Sequence, residues 1–533
     1  MDAEHVVRGD AAPAVPHTTI GCYLLEKLRE HGGASAQVDV TTGETQTYSE
    51  ILEKSVRIAR RMQQLGIGPG DVVGIASENS LDFCLPVLAT FYVGAVCAPF
   101  NPAYTEEELM HAMSISRPRM IFASALTLHK VNAVAGKLGC VRELVLIGRQ
   151  TPTALSATVR RLSDLCSACT GSSATFCPAY VDPETSTCLI LCSSGTTGLP
   201  KGVELSHRNY LQHAITTCGG AFPFKDTPEN MLGMLPFYHG FGFSLLLLSI
   251  IRGDQVVVLP YFEEKLFLGA IQNYKISTLF LVPPLMVLLA KRPLVDEYDL
   301  SSVTTIVCGA APLSKDTQEA VAKRLGVQDI RQAYGMTESS LLATSCREAG
   351  DLKMGSAGRL IPGMAGKVID LESGTALPRH RVGEICLTGN IMKGYRDNTA
   401  ATELAVDKDG WLHTGDVGFF DGDGDLFVVD RVKEIIKYKG FQVAPAELEA
   451  VLYTHTGVRD ACVVGKPDPV AGEVPVAFVV LQPDATLSEQ QILDFVNGRV
   501  SPQKRLRGGV RFVSEVPRNP SGKLLRRELR SRL

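Results

Sequence analysis

Thr187-Cys188-Leu189-Ile190-Leu191-Cys192, then Ser193-Ser194-Gly195-Thr196-Thr197-Gly198-Leu199-Pro200-Lys201-Gly202, then Val203-Glu204-Leu205 is the stretch that decides the reading of this chain. The apolar run before the loop has the length and composition of a buried strand. A second strand signal resumes directly after it. Between them lie four hydroxyls, three glycines and one lysine. Glycines let successive backbone N–H groups turn inward into a concave anion site. The hydroxyls add donors, and Lys201 adds a positive charge. This is chemistry for holding a polyphosphate. It is not a Walker A loop, which needs Gly directly before the Lys and Ser or Thr directly after it. Here Pro200 precedes Lys201 and Gly202 follows. A flexible Ser/Gly/Thr linker is the competing reading, and strand signals on both sides argue against it.

Working outward, the chain from Asp71 alternates strand and helix. Val72–Ile75 and Ala95–Pro99 are short apolar runs, with helical spacing over Leu81–Tyr92 between them. Arg119–Ala123 and Glu143–Ile147 repeat the strand signal. Such alternation indicates a mostly parallel sheet with helices on its faces, and ligands of such sheets bind beyond the strand ends. Residues 383–430 read as a smaller β-rich unit. The last hundred or so alternate helix (446–454), strand (459–465), strand (475–481), helix (488–499) and strand (510–514), enough for a small α+β domain. The fold class is therefore α/β: a large N-terminal domain, 1–432, containing the β-rich 383–430 unit, and a C-terminal domain, 433–533.

With 533 residues the chain exceeds one ordinary core. Apolar content of 45% and charged content of 21% place it with ordinary globular chains. A net charge of −4 gives no electrostatic case for nucleic acid. The fourteen cysteines are scattered through apolar stretches, as in a reduced compartment. Cys166 and Cys169 have no second ligand pair nearby for zinc, and the 151–180 region reads as a serine-rich loop. Met1–Asp10 lacks the apolar core of a secretory signal. Phe243–Ile251 is too short for a membrane span, and Pro283-Pro284 interrupts Leu279–Ala290, so no transmembrane segment is expected.

Several further runs carry chemistry, each with a plain structural alternative. His239, in Pro236-Phe237-Tyr238-His239-Gly240-Phe241-Gly242, is either a packed histidine or part of a pocket opened by glycines. Cys308-Gly309-Ala310-Ala311-Pro312-Leu313, before a helix from about Ser314 to Leu325, is either a tight turn or a backbone wall for a flat ring. In Gln332-Ala333-Tyr334-Gly335-Met336-Thr337-Glu338, Tyr334 can stack on a purine. Thr337 offers a hydroxyl, and Glu338 a hard oxygen for Mg²⁺, unless Thr-Glu merely caps a helix. Asp421-Gly-Asp-Gly-Asp425 resembles a calcium loop, but Leu426 stands where its glycine belongs, so a hairpin turn is expected. Lys433, Lys437 and Lys439 would singly read as a solvated face.

In order and together, these motifs resemble the adenylate-forming enzymes, in the acyl- and aryl-CoA ligase branch with plant coumarate–CoA ligases and beetle luciferases. The resemblance spans about 45–527 and is carried most specifically by the phosphate loop and by 430–443. It implies activation of a carboxylic acid, aryl or fatty, by ATP and Mg²⁺ to acyl-AMP, then transfer to CoA as a small mobile domain swings about a hinge at Lys433. It assigns Ser193, Ser194, Gly195, Thr196, Thr197 and Lys201 to phosphates. Gly309, Ala310, Ala311, Gln332, Ala333, Tyr334 and Gly335 fall to adenine and the acyl group, Thr337 and Glu338 to Mg²⁺, and Asp416 to the ribose. His239 and Phe241 line the acyl pocket, with Ala310 and Gly335. Lys523, in Pro517-Arg518-Asn519-Pro520-Ser521-Gly522-Lys523, serves the first step. Lys437, Lys439, Gly440 and Gln442 serve the second, and Arg431 the ribose or phosphate. Two departures stand out: Ala333 replaces a family glycine, and Tyr261 a basic residue often used for CoA. Light-emitting monooxygenases, adenylation units of multidomain synthetases and non-catalytic adenylate binders share parts of this pattern. Ser531-Arg532-Leu533 resembles a Ser-Lys-Leu-type peroxisomal address for an import receptor. The expected location is thus the peroxisome, with the cytoplasm as alternative.

Overall fold

The computed structural model describes residues 5–148, 159–169, 171–193, 200–346, 352–439, 441–483, 485–518 and 522–533. Its largest sheet has eight strands, in the order Gly394–Tyr395, Lys201–Ser206, Thr187–Ser193, Val96–Phe100, Val72–Ala76, Met120–Ser124, Glu143–Ile147 and Val159–Arg161. From Thr187–Ser193 onward neighbours run parallel. The first two strands pair antiparallel. Val72–Ala76, Val96–Phe100 and Met120–Ser124 are buried along their whole length, which is why they read as continuous apolar runs: helices cover both faces. The helix Tyr48–Gln64 shows how the covering works. Thr47 and Glu50 cap its N-terminus reciprocally, and its buried positions, including Ile51, Leu52, Val56, Ala59 and Met62, follow helical spacing.

Two further sheets complete the α/β layers. Asn230–Gly233, Gln255–Val258 and Ser35–Asp39 run parallel, with Thr45–Thr47 antiparallel at the edge. Thr278–Leu281, Thr305–Cys308 and Asp329–Tyr334 also run parallel, continued antiparallel by Thr344–Ser345 and Arg359–Leu360. The β-rich unit is a five-stranded antiparallel sheet of Val7–Arg8, Ala365–Ile369, Gly383–Thr388, Leu412–Phe420 and Leu426–Arg431. It takes in two strands outside 383–430, one of them the short Val7–Arg8, whose neighbours carry no strand pattern.

Asp421–Asp425 is the turn between its last two strands. Asp421 Oδ1 accepts the amides of Asp423 and Asp425 at 3.0 and 2.9 Å, and the Lys353 ammonium lies 2.6, 2.6 and 3.1 Å from the carboxylates of Asp421, Asp423 and Asp425. A lysine thus stands where a calcium loop would hold its cation. The serine-rich region is less irregular than its composition implies. Val159–Arg161 is an edge strand and Leu162–Ser167 a helix, because Leu162 and Leu165 bury one face. Cys166, Cys169 and Cys177 are free thiols. No helix among the described residues is long and apolar enough to cross a membrane.

The small domain contains Ile436–Tyr438, Phe441–Val443, Gly472–Leu481, Val458–Asp468 and Val510–Phe512 in one sheet. The helices Pro445–Tyr453, Glu489–Asn497 and Arg526–Arg530 accompany it, around clusters centred on Val463, Val479 and Leu448 and on Cys462 and Val476. At the junction, Asp430 Oδ2 accepts the Ala446 amide at 2.9 Å. Lys291 donates to the carbonyls of Tyr453 and Val458 at 2.7 and 3.0 Å. Arg530 pairs with Glu434 at 3.4 Å. A small apolar cluster of Val417, Ile435 and Ala444 fills the seam.

Candidate active site

The candidate residues gather where the parallel strands Thr305–Cys308 and Asp329–Tyr334 end. Gly309 follows the first strand, and a side chain there would meet the Ala333 carbonyl and the Phe241 ring, each at 3.4 Å. Phe241 meets Phe280 edge-on at 6.3 Å. His239 caps the helix Gly240–Arg252, its Nδ1 accepting the Phe241 amide at 3.4 Å, which requires a neutral ring. Burial, and next the Lys523 ammonium, push this imidazole down to about 4. Ala310 is exposed in the left-handed region at φ 70°, and Ala311 is exposed beside it. The Gln332 side chain turns away from this wall. It accepts from the Leu313 amide at 3.2 Å and donates to Gln318 at 3.2 Å, so it positions the 309–313 loop rather than reaching into the cleft. Ala333 is half-buried in the wall. Gly335 has no room for a side chain: a Cβ would lie 2.1 Å from the Leu341 carbonyl oxygen.

Two polar networks flank the wall. Tyr334 donates from its hydroxyl to Asp416 Oδ2 at 2.7 Å, and Arg431 Nε lies 3.2 Å from Asp416 Oδ1. Asp416 is thereby fixed at the middle of the Leu412–Phe420 strand. The second network was not singled out by sequence. Tyr395 donates to Glu338 Oε1 at 3.0 Å, and the Lys201 ammonium sits 4.7 Å from the centre of the Tyr395 ring, a cation–π contact. Burial and the Glu338 charge push the Tyr395 phenol up, so it stays a donor. One aromatic residue therefore connects the lysine of the phosphate loop to Glu338. It escaped notice because Gly394-Tyr395 is a two-residue edge strand without periodicity. Thr337 is half-buried in the short turn Thr337–Ser339.

The phosphate loop is closed by its two strands, Lys201 pairing across from Ser193. Ser193 Oγ is buried without a hydrogen-bond partner among the described residues; Ser194, Gly195, Thr196 and Thr197 lie outside them. A cavity of about 390 Å³ adjoins Lys201 and Tyr395, lined also by His111, Arg117 and Arg396. Lys433 is held below the usual lysine range by desolvation and then by Lys201 and Arg431.

Lys523 reaches this region from the small domain. Its neighbour Gly522 lies against Val282 and Pro284 of the large domain. Burial, then Arg431, push the Lys523 ammonium down to about 8, while Asp416 and Glu338 oppose the shift. Behind it Arg526 is bound to buried Glu449 through two contacts of 2.8 Å. Lys437, Lys439 and Gln442 are exposed on the hairpin of Ile436–Tyr438 and Phe441–Val443, where the Lys437 amide donates to Glu473 at 3.0 Å. Lys439 adopts a φ of 47°, and Gly440 lies outside the described residues. The structure thus brings Lys201, His239, Tyr334, Glu338, Asp416, Arg431 and Lys523 together and leaves Lys437, Lys439 and Gln442 exposed at the end of the small domain's sheet. Tyr261 is exposed, at 59%. At the C-terminus Arg511 donates to the Arg532 carbonyl at 2.8 Å, and Leu533 packs on the cluster around Cys462.

Comparison with known proteins places the chain in a family. A family model described as AMP-binding enzyme matches residues 24–396, and one described as AMP-binding enzyme C-terminal domain matches 447–523. The chain is 41% identical to luciferin 4-monooxygenase of Photinus pyralis over 540 residues, covering 99% of this chain and 97% of the relative. It is 37% identical to 4-coumarate–CoA ligase of Vanilla planifolia over 519 residues, covering 96% and 93%. ATP-bound MatB from Rhodopseudomonas palustris superposes with a TM-score of 0.82 at 28% identity, covering 96% of this chain and 98% of that one. The two family models lie one in each domain, and the chain belongs to the AMP-binding, adenylate-forming enzymes.

Proposed function

We propose that the protein is an ATP-dependent acid–thiol ligase. A carboxylate oxygen attacks the α-phosphorus of ATP, the bond to the bridging oxygen breaks, and pyrophosphate leaves. The thiol of CoA then attacks the acyl-AMP carbonyl, gives up its proton, and AMP departs. The first step brings two anions together, so the protein's contribution is positioning and charge neutralisation. Lys201, the loop amides and Lys433 hold the β- and γ-phosphates. Asp416, fixed by Tyr334 and Arg431, takes the ribose hydroxyls. Lys523 bridges the carboxylate and the α-phosphate. Phe241, Gly309 and neutral His239 enclose the acyl group. Glu338 fits a hard cation: it is 5% exposed, and Tyr395 occupies one carboxylate oxygen, leaving the other. Mg²⁺ there supplies neutralisation of phosphate charge.

The observation carrying this reading is that two lysines of one small domain are placed differently: Lys523 beside Arg431, Asp416 and Glu338 of the cleft, and Lys437 exposed on a hairpin. One domain can then present each to the same nucleotide in turn. A second reading, oxidation of the adenylate by O₂ with light emission, is favoured by the 41% identity to a luciferin monooxygenase; the adenylation machinery serves both. Pyrophosphate release across aryl and fatty acids, with and without CoA, tests the proposal. A CoA thioester product is expected. Luciferin-dependent light and O₂ uptake without any thioester would overturn it in favour of the second reading.

A further inference from the structure

The strands Gly383–Thr388 and Leu412–Phe420 place Cys386 directly opposite His413. The Cys386 thiol sulfur lies 3.7 Å from His413 Nδ1, and Glu384 Oε2 lies 3.3 Å from the same nitrogen. All three ligand atoms fall within 4.8 Å of one another. A tetrahedral zinc ion with ordinary bonds to sulfur, nitrogen and oxygen sets these atoms apart by about 3.6 Å for S···N and about 3.4 Å for N···O. The two measured edges match those of a zinc tetrahedron, and the sulfur–carboxylate edge is at most 4.8 Å.

The surroundings also fit a ligand set. Glu384 Oε1 accepts the Gly415 amide at 3.1 Å, which orients the carboxylate and leaves Oε2 as a single donor. On the far side of the imidazole, His413 Nε2 lies 3.5 Å from Asp407 Oδ2, the carboxylate-behind-histidine arrangement that fixes which nitrogen faces a metal. Cys386 is fully buried, while Glu384 and His413 are half-buried. The cluster therefore has a dry sulfur corner and an open side where water can complete four-fold coordination. Thiolate with imidazole selects a borderline-soft ion over Mg²⁺, so this site is chemically separate from Glu338. Asp416 follows His413 by three residues on the same strand, and an ion here would pin that strand to its neighbour.

We propose that Glu384, Cys386 and His413 form a Zn²⁺ site, oriented by Asp407, in which binding releases the Cys386 thiol proton and any proton on His413 Nδ1. The test is titration of the chelator-treated full chain with Co²⁺, followed by Zn²⁺ as competitor. One equivalent of Co²⁺ should give a thiolate-to-metal charge-transfer band and strong tetrahedral ligand-field absorption, both lost on adding Zn²⁺. Cys386→Ser should abolish the charge-transfer band. Glu384→Gln and Asp407→Asn, which preserve side-chain volume, should each weaken Co²⁺ binding by roughly tenfold or more, with an unchanged circular dichroism spectrum. Zn²⁺ should raise the melting temperature of the parent chain but not of Cys386→Ser. Absence of the band in the parent, its persistence in Cys386→Ser, or full affinity in Glu384→Gln would each overturn the assignment.

Discussion

Replacing Lys523 by Met removes the ammonium and keeps an apolar stem of similar length. In the cleft Lys523 is held at about 8, below its usual 10.5. That difference corresponds to at most about 3–4 kcal/mol of destabilisation from the buried charge, and screening on the half-exposed side brings it to about 2 kcal/mol. The sign follows from linkage. Below about pH 8 the lysine is charged both folded and unfolded, so the destabilisation is fully present. Between pH 8 and 10.5 only the unfolded chain binds the proton, and the handicap fades. Lys523→Met should therefore melt higher than the parent at pH 7, with the gap closing as pH approaches 10.5. The same change should slow acyl-AMP formation by about 10²- to 10³-fold, the usual loss for one charge-stabilising donor. Conversion of supplied acyl-AMP to thioester should stay within a few-fold. The assay pairs pyrophosphate release without CoA, thioester formation from acyl-AMP, and thermal melts at pH 7 and 10. A variant that melts lower than the parent at pH 7, or loses both half-reactions equally, would refute the reasoning.

Lys437→Ala should show the converse kinetics, with acyl-AMP formation retained and thioester formation reduced by roughly tenfold or more, read with the same two half-assays. Tyr395→Phe keeps the ring beneath Lys201 but deletes the hydroxyl bonded to Glu338. A hydrogen bond to a charged group contributes about 1.5–3 kcal/mol, so pyrophosphate release at limiting Mg²⁺ should fall about 10- to 100-fold with the melting temperature little changed. Arg526→Leu strands the buried Glu449 charge and should destabilise the chain by about 3–5 kcal/mol, seen as an earlier urea transition; a shift under 1 kcal/mol would mean that Glu449 finds another partner. His207 and His213 are buried and pushed down to about 4. From pH 6.5 toward 4 the unfolded chain takes up protons that these rings refuse, so stability should fall across that window, and His213→Gln should flatten the melting temperature against pH.

The α/β layers were legible because their signals are local. Val72–Ala76 and Met120–Ser124 are unbroken apolar runs, and the phosphate loop is bracketed by two strands that do pair with each other. Lys201, Asp416 and Lys523 could be picked out by residue type and surrounding motif. Contacts made by distant segments were not legible. Val7–Arg8 acquires its strand conformation from Ala365 and Gly366, more than 350 residues away. Tyr395 matters only because the chain returns it to Lys201 and Glu338. Gln332 looked like a cofactor contact, but its amide is taken up by Leu313 and Gln318, a pairing that depends on how the preceding helix docks. Cys386 and His413 likewise become neighbours only through strand register.

The junction between the lobes is tied by Asp430 to the Ala446 amide and by Lys291 to two carbonyls. Each tie can be exchanged for water at little net cost, and the oil-like patch at Val417, Ile435 and Ala444 is small. Letting go should therefore be easy compared with unravelling either lobe. Deuterium uptake at Ala446 should consequently outpace that of Val463 and Val479, deep in the small domain's sheet, by orders of magnitude.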